Sequence, residues 1–404
     1  MRGAVLVLAA APALAYAQTQ QVVKPPIAQY WVSVETAAGM SMPGMGATGS
    51  MMSGMMGGPG QSGRRMALQL GSQQAAAGNP QADHAIPPGM NMGPSLPLVT
   101  PERVPAPRAE REVPEGVEPK GRMLIYWGCG ENVRPGQPVI IDYAKVSQGQ
   151  APQLASRRVA RGTPPAFGRN RTYGDWPNRE NAKPVPADAS IKGEHRVKGN
   201  YAPEIRFTLG EPHEIMEQVA LSNAANKLQW KSVPHATGYF AMLFGAAKQD
   251  EVVLWSSSEV QEMGGMLMDY IPPAEVARLV REKVVLAPSV TDCTVPGEVV
   301  QKAGSSPFLN FIAYGPEANF VQPPRPADPK LPWEQVWTAK VRFKSTASLL
   351  LGESSGGERG GRPERRARPE REAEAPQREA QPQQPAAPDP IGEGVKALRG
   401  IFGR

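Results

Sequence analysis

The chain has 404 residues, with 44 Lys and Arg against 38 Asp and Glu, and therefore a formal net charge of +6. Only 40% of the residues are hydrophobic, while 42 Gly and 44 Pro make about a fifth of the chain, roughly twice ordinary usage. This composition excludes a chain packed throughout into globular domains, and so small a charge for this length does not indicate a nucleic-acid-binding protein.

The N-terminus has the pattern of a cleaved signal peptide over residues 1–17. Arg2 supplies a positive charge, and the apolar run that follows is too short to span a membrane. Ala15 and Ala17 are the small residues that a signal peptidase recognises. We therefore expect an exported protein, periplasmic or secreted, whose mature chain begins at Gln18.

Residues 18–160 are predicted to form a β-rich domain. It contains a Met- and Gly-rich loop over residues 39–63 and an irregular, Pro-rich segment over residues 85–119. Alternating apolar and polar residues predict four strands that pair as two hairpins, 27–36 with 65–71 and 121–128 with 138–143.

Residues 161–200 are rich in Pro, Arg and Asn and are predicted to be a basic loop or linker. Alternating runs resume over residues 201–352 and predict a second β-rich domain. Residues 273–283 begin with Pro and carry apolar residues at helical spacing, which predicts one helix in this domain. Because no helices alternate with the strands, we expect antiparallel sandwiches. The predicted fold class is mainly β, with two sandwich-like domains, long irregular loops and a disordered C-terminal tail.

Part of the second domain resembles a known family. The residues that carry the resemblance are Leu228, Trp230, Val233, Ala236, Gly238 and Tyr239. This spacing resembles the early strands of a fibronectin type III domain, in which a strand with a core Trp precedes a strand with a core Tyr. The resemblance extends over residues 201–351. It implies a β-sandwich and a binding or spacer role, without catalytic residues.

The C-terminus is predicted to be disordered over residues 353–390, since this charged, Pro-rich run cannot bury a core. In residues 391–404, Ile391, Val395, Leu398 and Phe402 fall on one side of a helix. Two alternatives remain for this short amphipathic segment. It either becomes helical when it docks on a membrane surface or a partner, or it is a tail without a role.

One candidate metal site is a methionine tract, with seven thioethers within 17 residues. Its members are Met40, Met42, Met45, Met51, Met52, Met55 and Met56. Thioethers suit Cu(I), and the spacing is similar to the methionine motifs of periplasmic copper-handling proteins. The alternative is a low-complexity loop that binds no metal.

The chain contains no recognisable catalytic motif. Its four histidines show no metal-ligand spacing, and the sequence has no nucleophile elbow, phosphate-binding loop or Cys-x-x-Cys. Cys129 and Cys293 are the only cysteines. They either form one disulfide between the two β regions or are buried free thiols. We predict a protein that is not an enzyme and has no cofactor apart from the alternative of Cu(I).

A cluster of arginines with interspersed aromatic residues is a candidate loop for an anionic ligand. Its residues are Arg157, Arg158, Arg161, Arg169, Arg171 and Trp176. In an exported protein, anionic envelope polymers or lipids are more plausible partners than nucleic acid, and the alternative is a solvated basic loop. The predicted function is non-catalytic binding or structural support in the cell envelope, with an envelope protein or an anionic polymer as partner. The alternative function is periplasmic Cu(I) binding.

Overall fold

The computed structural model describes residues 21–39, 62–102, 121–150, 152, 158–246 and 250–351. This part of the chain is mainly β, as predicted, with eighteen strands and three short α-helices. The helices are α1 (Tyr143–Ser147), α2 (Pro273–Arg281) and α3 (Gly297–Lys302). None of the helices within these ranges is long and apolar enough to cross a membrane.

Nine strands form one central sheet. They are β2 (Ala28–Gly39), β3 (Gly63–Ser72), β6 (Arg122–Trp127), β7 (Val139–Asp142), β8 (Thr172–Trp176), β13 (Gly238–Ala246), β14 (Glu251–Ser256), β16 (Phe308–Gln322) and β18 (Trp337–Leu350). Their order across the sheet is β7-β6-β14-β13-β16-β18-β2-β3-β8. The two predicted hairpins, β2 with β3 and β6 with β7, are both antiparallel pairs of this sheet.

The central sheet differs from the sequence expectation in two ways. It is mixed, because β6 lies parallel to β14 and β2 lies parallel to β18. These parallel neighbours are far apart in the chain, so no tight turn has to join them. The sheet also takes strands from both predicted domains, 18–160 and 201–352. The segment 161–200, predicted to be a loop, itself contributes β8 to this sheet.

Two smaller sheets and a short strand pair complete the β structure. The four-stranded sheet is β10 (Ile205–Leu209), β9 (Gly193–Gly199), β4 (Ala82–Ala85) and β5 (Ser95–Leu98), in that order. The three-stranded sheet is β11 (Leu221–Ala224), β12 (Lys227–Trp230) and β15 (Asp292–Thr294). The pair is β1 (Val23–Lys24) with β17 (Trp333–Glu334). Strand β5 lies in residues 85–119, which the sequence predicted to be irregular, and strand β9 lies in residues 161–200, which it predicted to be a loop or linker.

The three-stranded sheet packs on the central sheet through aromatic side chains. Trp230 on β12 lies 5.6 Å from Tyr239 on β13 and 4.7 Å from Phe311 on β16, measured between ring centroids. All three side chains are buried. Aromatic residues bury much apolar surface, so this contact joins the two sheets into a sandwich.

The opposite face of the central sheet is covered by α2. Pro273 occupies the first turn of this helix, where its missing N–H costs no hydrogen bond. Val276 and Leu279 are buried in one cluster with Phe240 and Ile312 of the sheet. The predicted helix is thus present, and the sequence missed the second helix of this region, α3.

A disulfide joins Cys129, in the loop after β6, to Cys293 on β15. It connects the central sheet to the three-stranded sheet across a sequence separation of 164 residues. Of the two alternatives left open by the sequence, free thiols or a bridge, the structure has the bridge.

Several predicted segments lie outside the described residues. They are the signal peptide over 1–17, the methionine tract from Met40 to Met56, most of the Pro-rich run after residue 102, and the tail over 353–404.

Candidate functional site

The described part of the predicted arginine cluster lies in residues 158–176, called the basic loop from here on. The first half of this loop, residues 158–165, is held against the rest of the protein by an ion pair and hydrogen bonds. Arg161 forms an ion pair with Asp269 at 3.2 Å. The backbone N–H of Ala160 donates to Glu275 at 3.0 Å, and Arg278 donates to the carbonyl of Arg158 at 3.0 Å. Both Glu275 and Arg278 belong to α2, so this half of the loop is anchored to the helix.

Beneath this half of the loop lies a polar face of the central sheet. Arg342 on β18 is sandwiched there between two aromatic rings. Its guanidinium carbon lies 4.8 Å from the ring centroid of Trp31 and 4.3 Å from that of Tyr270. Gly162 of the loop approaches Trp31 so closely that a Cβ there would lie 2.5 Å from the indole. Burial lowers the pKa of Arg342, although neighbouring acidic groups oppose the change.

The charges on this polar face are largely paired with one another. Lys340 forms an ion pair with Glu317, and Lys344 lies 3.7 Å from Glu35. The Nε of Arg342 donates to the hydroxyl of Ser33 at 2.7 Å. These cations therefore stabilise the packing of the loop on the sheet and are poorly placed to receive an external anion.

The second half of the basic loop forms one wall of an open groove. The chain turns at Gly168, where φ is +83°, a backbone conformation that favours glycine. The groove has a volume of about 480 Å³, within the range of about 300–1,000 Å³ usual for small-ligand sites. It is lined by Ala75, Ala76, Gly78, Pro80, Thr100, Phe167, Gly168, Asn170, Arg171, Thr172 and Tyr173.

Two exposed cations of the basic loop stand at the groove: Arg171 lines it, and Arg169 lies between its lining residues Gly168 and Asn170 in the chain. Arg169 and Arg171 are both exposed, and neither has an ion-pair partner among the described residues. Beside them Phe167 exposes 45% of its surface, which is unusual for so large an apolar side chain. Arg171 and Phe167 therefore offer a guanidinium group and an apolar aromatic side chain to solvent in the same groove, with Arg169 beside them in the chain.

The far wall of the groove is rigid and uncharged. Tyr173 is buried, and its hydroxyl donates to Asp175 at 3.1 Å. Burial raises the pKa of Tyr173 to about 12, so the phenol stays neutral at physiological pH. The hydroxyl of Thr100 donates to the carbonyl of Tyr173 at 2.6 Å, and Thr172 donates to the carbonyl of Gln74 at 2.7 Å. The carbonyls of Tyr173 and Gln74 are therefore already hydrogen-bonded within the protein.

The predicted anion-binding residues divide into groups. Arg171 lines the groove and Arg169 is next in the chain to its lining residue Gly168, whereas Arg161 pairs with Asp269 and the backbone carbonyl of Arg158 accepts from Arg278. Trp176, which the sequence grouped with these arginines, is only 2% exposed and belongs to the core. Arg157 lies outside the described residues.

A second polar cluster is fully buried between β2 and the four-stranded sheet. The hydroxyl of Tyr30 lies 2.8 Å from Nδ1 of His84, and Nε2 of His84 lies 3.0 Å from Nδ1 of His195. Nε2 of His195 lies 2.8 Å from the carbonyl of Ile191, and Phe207 stacks on the His195 ring at 4.8 Å. Sequence spacing gave no sign of this pairing, since the two histidines are 111 residues apart.

Burial favours the neutral form of both histidines in this cluster. Burial, and then the nearby His195, holds the pKa of His84 well below its ordinary value. Burial lowers the pKa of His195 to about 4, although the hydrogen bond to Ile191 opposes the change. With both rings neutral, each ring has one N–H to donate and one nitrogen to accept, which fits the chain from Tyr30 to the Ile191 carbonyl. All four ring nitrogens are occupied, so this cluster has no position for a metal.

Within the described ranges, no three His, Cys, Asp or Glu side chains are arranged to hold a metal ion. Comparison with known proteins found no similarity: no family model, no curated protein and no solved structure matches this chain.

Proposed function

We propose that this chain is an exported, non-catalytic protein of the cell envelope that binds an anionic polymer in the groove of the basic loop. The observation that carries the proposal is the contrast within one loop. Arg161 is held by an acidic partner, whereas Arg169 and Arg171 face solvent beside a groove and have no such partner among the described residues. Unpaired guanidinium groups form bidentate hydrogen bonds to carboxylate and phosphate groups.

The proposal of export rests on two features. The sequence has a signal-peptide pattern over residues 1–17, and Cys129 and Cys293 form a disulfide. Stable disulfides are typical of proteins in oxidising compartments such as the periplasm and the cell exterior. We place the mature protein there.

A non-catalytic role is consistent with the sandwich architecture. In the fibronectin type III family that residues 201–351 resemble, a core Trp and a core Tyr stand on successive strands. Here Trp230 and Tyr239 are on the successive strands β12 and β13 and pack against each other from two sheets. Such sandwiches serve as binding modules or spacers, although a fold alone does not fix a function.

The proposal is tested by sedimenting the mature protein with polymers that carry carboxylate or phosphate groups. We expect binding that weakens as salt is added, because exposed charges are screened within about 10 Å at 0.1 M salt. The double variant Arg169→Gln/Arg171→Gln should lose most of the binding. The matched control Arg158→Gln removes a cation from the anchored half of the same loop and should bind normally. Equal loss in both variants would refute a site at the groove.

The alternative proposal is Cu(I) binding by the methionine tract between residues 40 and 56. The observation that favours it is the position of the tract between two paired strands. β2 and β3 pair from Ala28↔Ser72 to Ala37↔Gly63, and the hydroxyl of Ser62 donates to the carbonyl of Gly39 at 2.7 Å. The described residues on either side of the tract, Gly39 and Ser62, are thus hydrogen-bonded to each other, which supplies an anchor for a set of thioether ligands. Deleting residues 40–58 should abolish Cu(I) binding and leave thermal unfolding of the remaining fold unchanged.

A further inference from the structure

We infer that the ligand of the groove is an acidic saccharide, a chain of sugar rings that carries carboxylates. The inference rests on the anion-binding function proposed above and names its ligand class. It starts from the juxtaposition of an exposed aromatic side chain, Phe167, with Arg171 in the lining of one groove, next to which the exposed Arg169 lies in the chain.

A uronic acid is complementary to both kinds of group at once. One face of a sugar ring presents C–H groups, which pack on an aromatic face such as that of Phe167. The carboxylate of the same ring accepts two parallel hydrogen bonds from a guanidinium group such as that of Arg171. A bare phosphate or sulfate would use the arginine and leave the aromatic ring exposed.

The shape of the groove agrees with a ring-shaped ligand. Its walls include Ala75, Ala76, Gly78 and Gly168, whose small side chains leave about 480 Å³ free. The Asn170 side chain accepts from the N–H of Ala166 at 3.3 Å, and its NH₂ group makes no hydrogen bond to any residue that the structure describes. That NH₂ group is a free donor for a sugar hydroxyl.

The backbone around the groove argues against an acidic peptide. An extended peptide binds by adding a strand to an unpaired sheet edge. At the edge strand β8, Asp175 already exchanges two backbone hydrogen bonds with Val99, both of 3.0 Å. The carbonyl of Tyr173 is taken by Thr100. The wall therefore offers a peptide little main-chain pairing.

The experiment is calorimetric titration of the intact mature protein with an oligogalacturonate of defined length. Its methyl ester, which has the same sugar chain without charge, serves as the ligand control. We expect the acid to bind and the ester to bind about tenfold or more weakly. A tenfold difference in affinity corresponds to about 1.4 kcal/mol. Phe167→Ala and Arg171→Gln should each weaken binding several-fold, and Arg158→Gln should not. Because Phe167 is exposed, its replacement should leave the far-UV circular dichroism spectrum unchanged.

Two further probes, polyphosphate and poly-glutamate, separate the possible failures. If polyphosphate binds as tightly as the saccharide and Phe167→Ala has no effect, anion binding stands and the saccharide assignment is overturned. Preference for poly-glutamate overturns it in favour of a peptide. If none of the anions binds, both the saccharide and the proposed function are refuted.

Discussion

The buried histidine chain predicts that the folded protein loses stability between pH 7 and pH 5. His84 and His195 are 0% and 1% exposed, and both have lowered pKa values in the folded state. In the unfolded chain their pKa returns to about 6.5, so the unfolded state takes up protons first as the pH falls. Stability conferred by the neutral rings is complete above that value and is lost progressively towards pH 4.

The size of this loss of stability follows from the difference between the pKa of each histidine in the unfolded state and in the folded state. At pH 5, about 1.5 units below the unfolded pKa, each histidine that stays neutral in the folded state lowers the free energy of unfolding by roughly 2 kcal/mol, since one unit equals 1.36 kcal/mol. Because the folded pKa of His195 is about 4, this ring is still mostly neutral at pH 5. His195 alone should therefore lower the free energy of unfolding by about 2 kcal/mol, and the lowered pKa of His84 adds to this loss in the same direction.

The assay is urea-induced unfolding at pH 7, 6 and 5, monitored by tryptophan fluorescence. Carboxylates titrate mainly below about pH 4.5, so this window reports mainly the histidines. The control is His235→Asn. His235 has a φ of +64°, which Asn tolerates, and lies outside the buried chain. The control should keep the part of the pH dependence that comes from the buried pair, while His195→Gln should remove the share of His195, about 2 kcal/mol between pH 7 and pH 5. A free energy of unfolding that is the same at pH 7 and pH 5 would refute the neutral chain.

Three further predictions concern other parts of the chain. Replacing Cys129 and Cys293 by Ser should lower the free energy of unfolding by at most about 5 kcal/mol, the chain-entropy value for a loop of this length; an unchanged urea midpoint would show that the bridge does not restrain the unfolded chain. Trp230→Ala should cost about 3–5 kcal/mol, because the indole is buried between the two sheets, and a loss below 1 kcal/mol would contradict that packing. A peptide of residues 391–404 is predicted to gain helicity on anionic vesicles, and a circular dichroism spectrum that does not change would identify it as a tail without a docking role.

Local patterns in the sequence predicted those elements whose stability depends on near neighbours in the chain. The strands β6 and β7 follow one another in the chain, and α2 has Pro at its start and an apolar stripe, so each was visible within a short window. The predicted pairing of β2 with β3 is also present, antiparallel from Ala28↔Ser72 to Ala37↔Gly63.

Pairings between distant segments left no local signal. The parallel pairing of β2 with β18 joins residues about 300 positions apart, and no periodicity marks such partners. Strand β9 lies in a Pro- and Arg-rich stretch and is fixed by its pairing with β4 and β10. The conformation of β9 is therefore set by its pairing with other strands and not by its local composition.

The candidate site, too, combines features that are visible in the sequence with others that only the folded chain reveals. The arginine cluster was visible in the sequence, but only the structure separates the paired Arg161 from the exposed Arg171. The Lys340-x-Arg342-x-Lys344 alternation is the signal that could have revealed the polar face, since alternate residues of a strand share one side. The groove itself could not be predicted, because residues 75–80, Thr100 and the basic loop meet only in the folded chain.

The central claim is that the groove of the basic loop is an anion-binding site. The most direct measurement is the dissociation constant of the mature protein for an anionic polysaccharide at several salt concentrations, for the wild type, for Arg169→Gln/Arg171→Gln and for Arg158→Gln. We expect salt-sensitive binding that the double variant loses by about tenfold or more and that the single control keeps. Binding that is equal in all three proteins, or absent in the wild type, would contradict it.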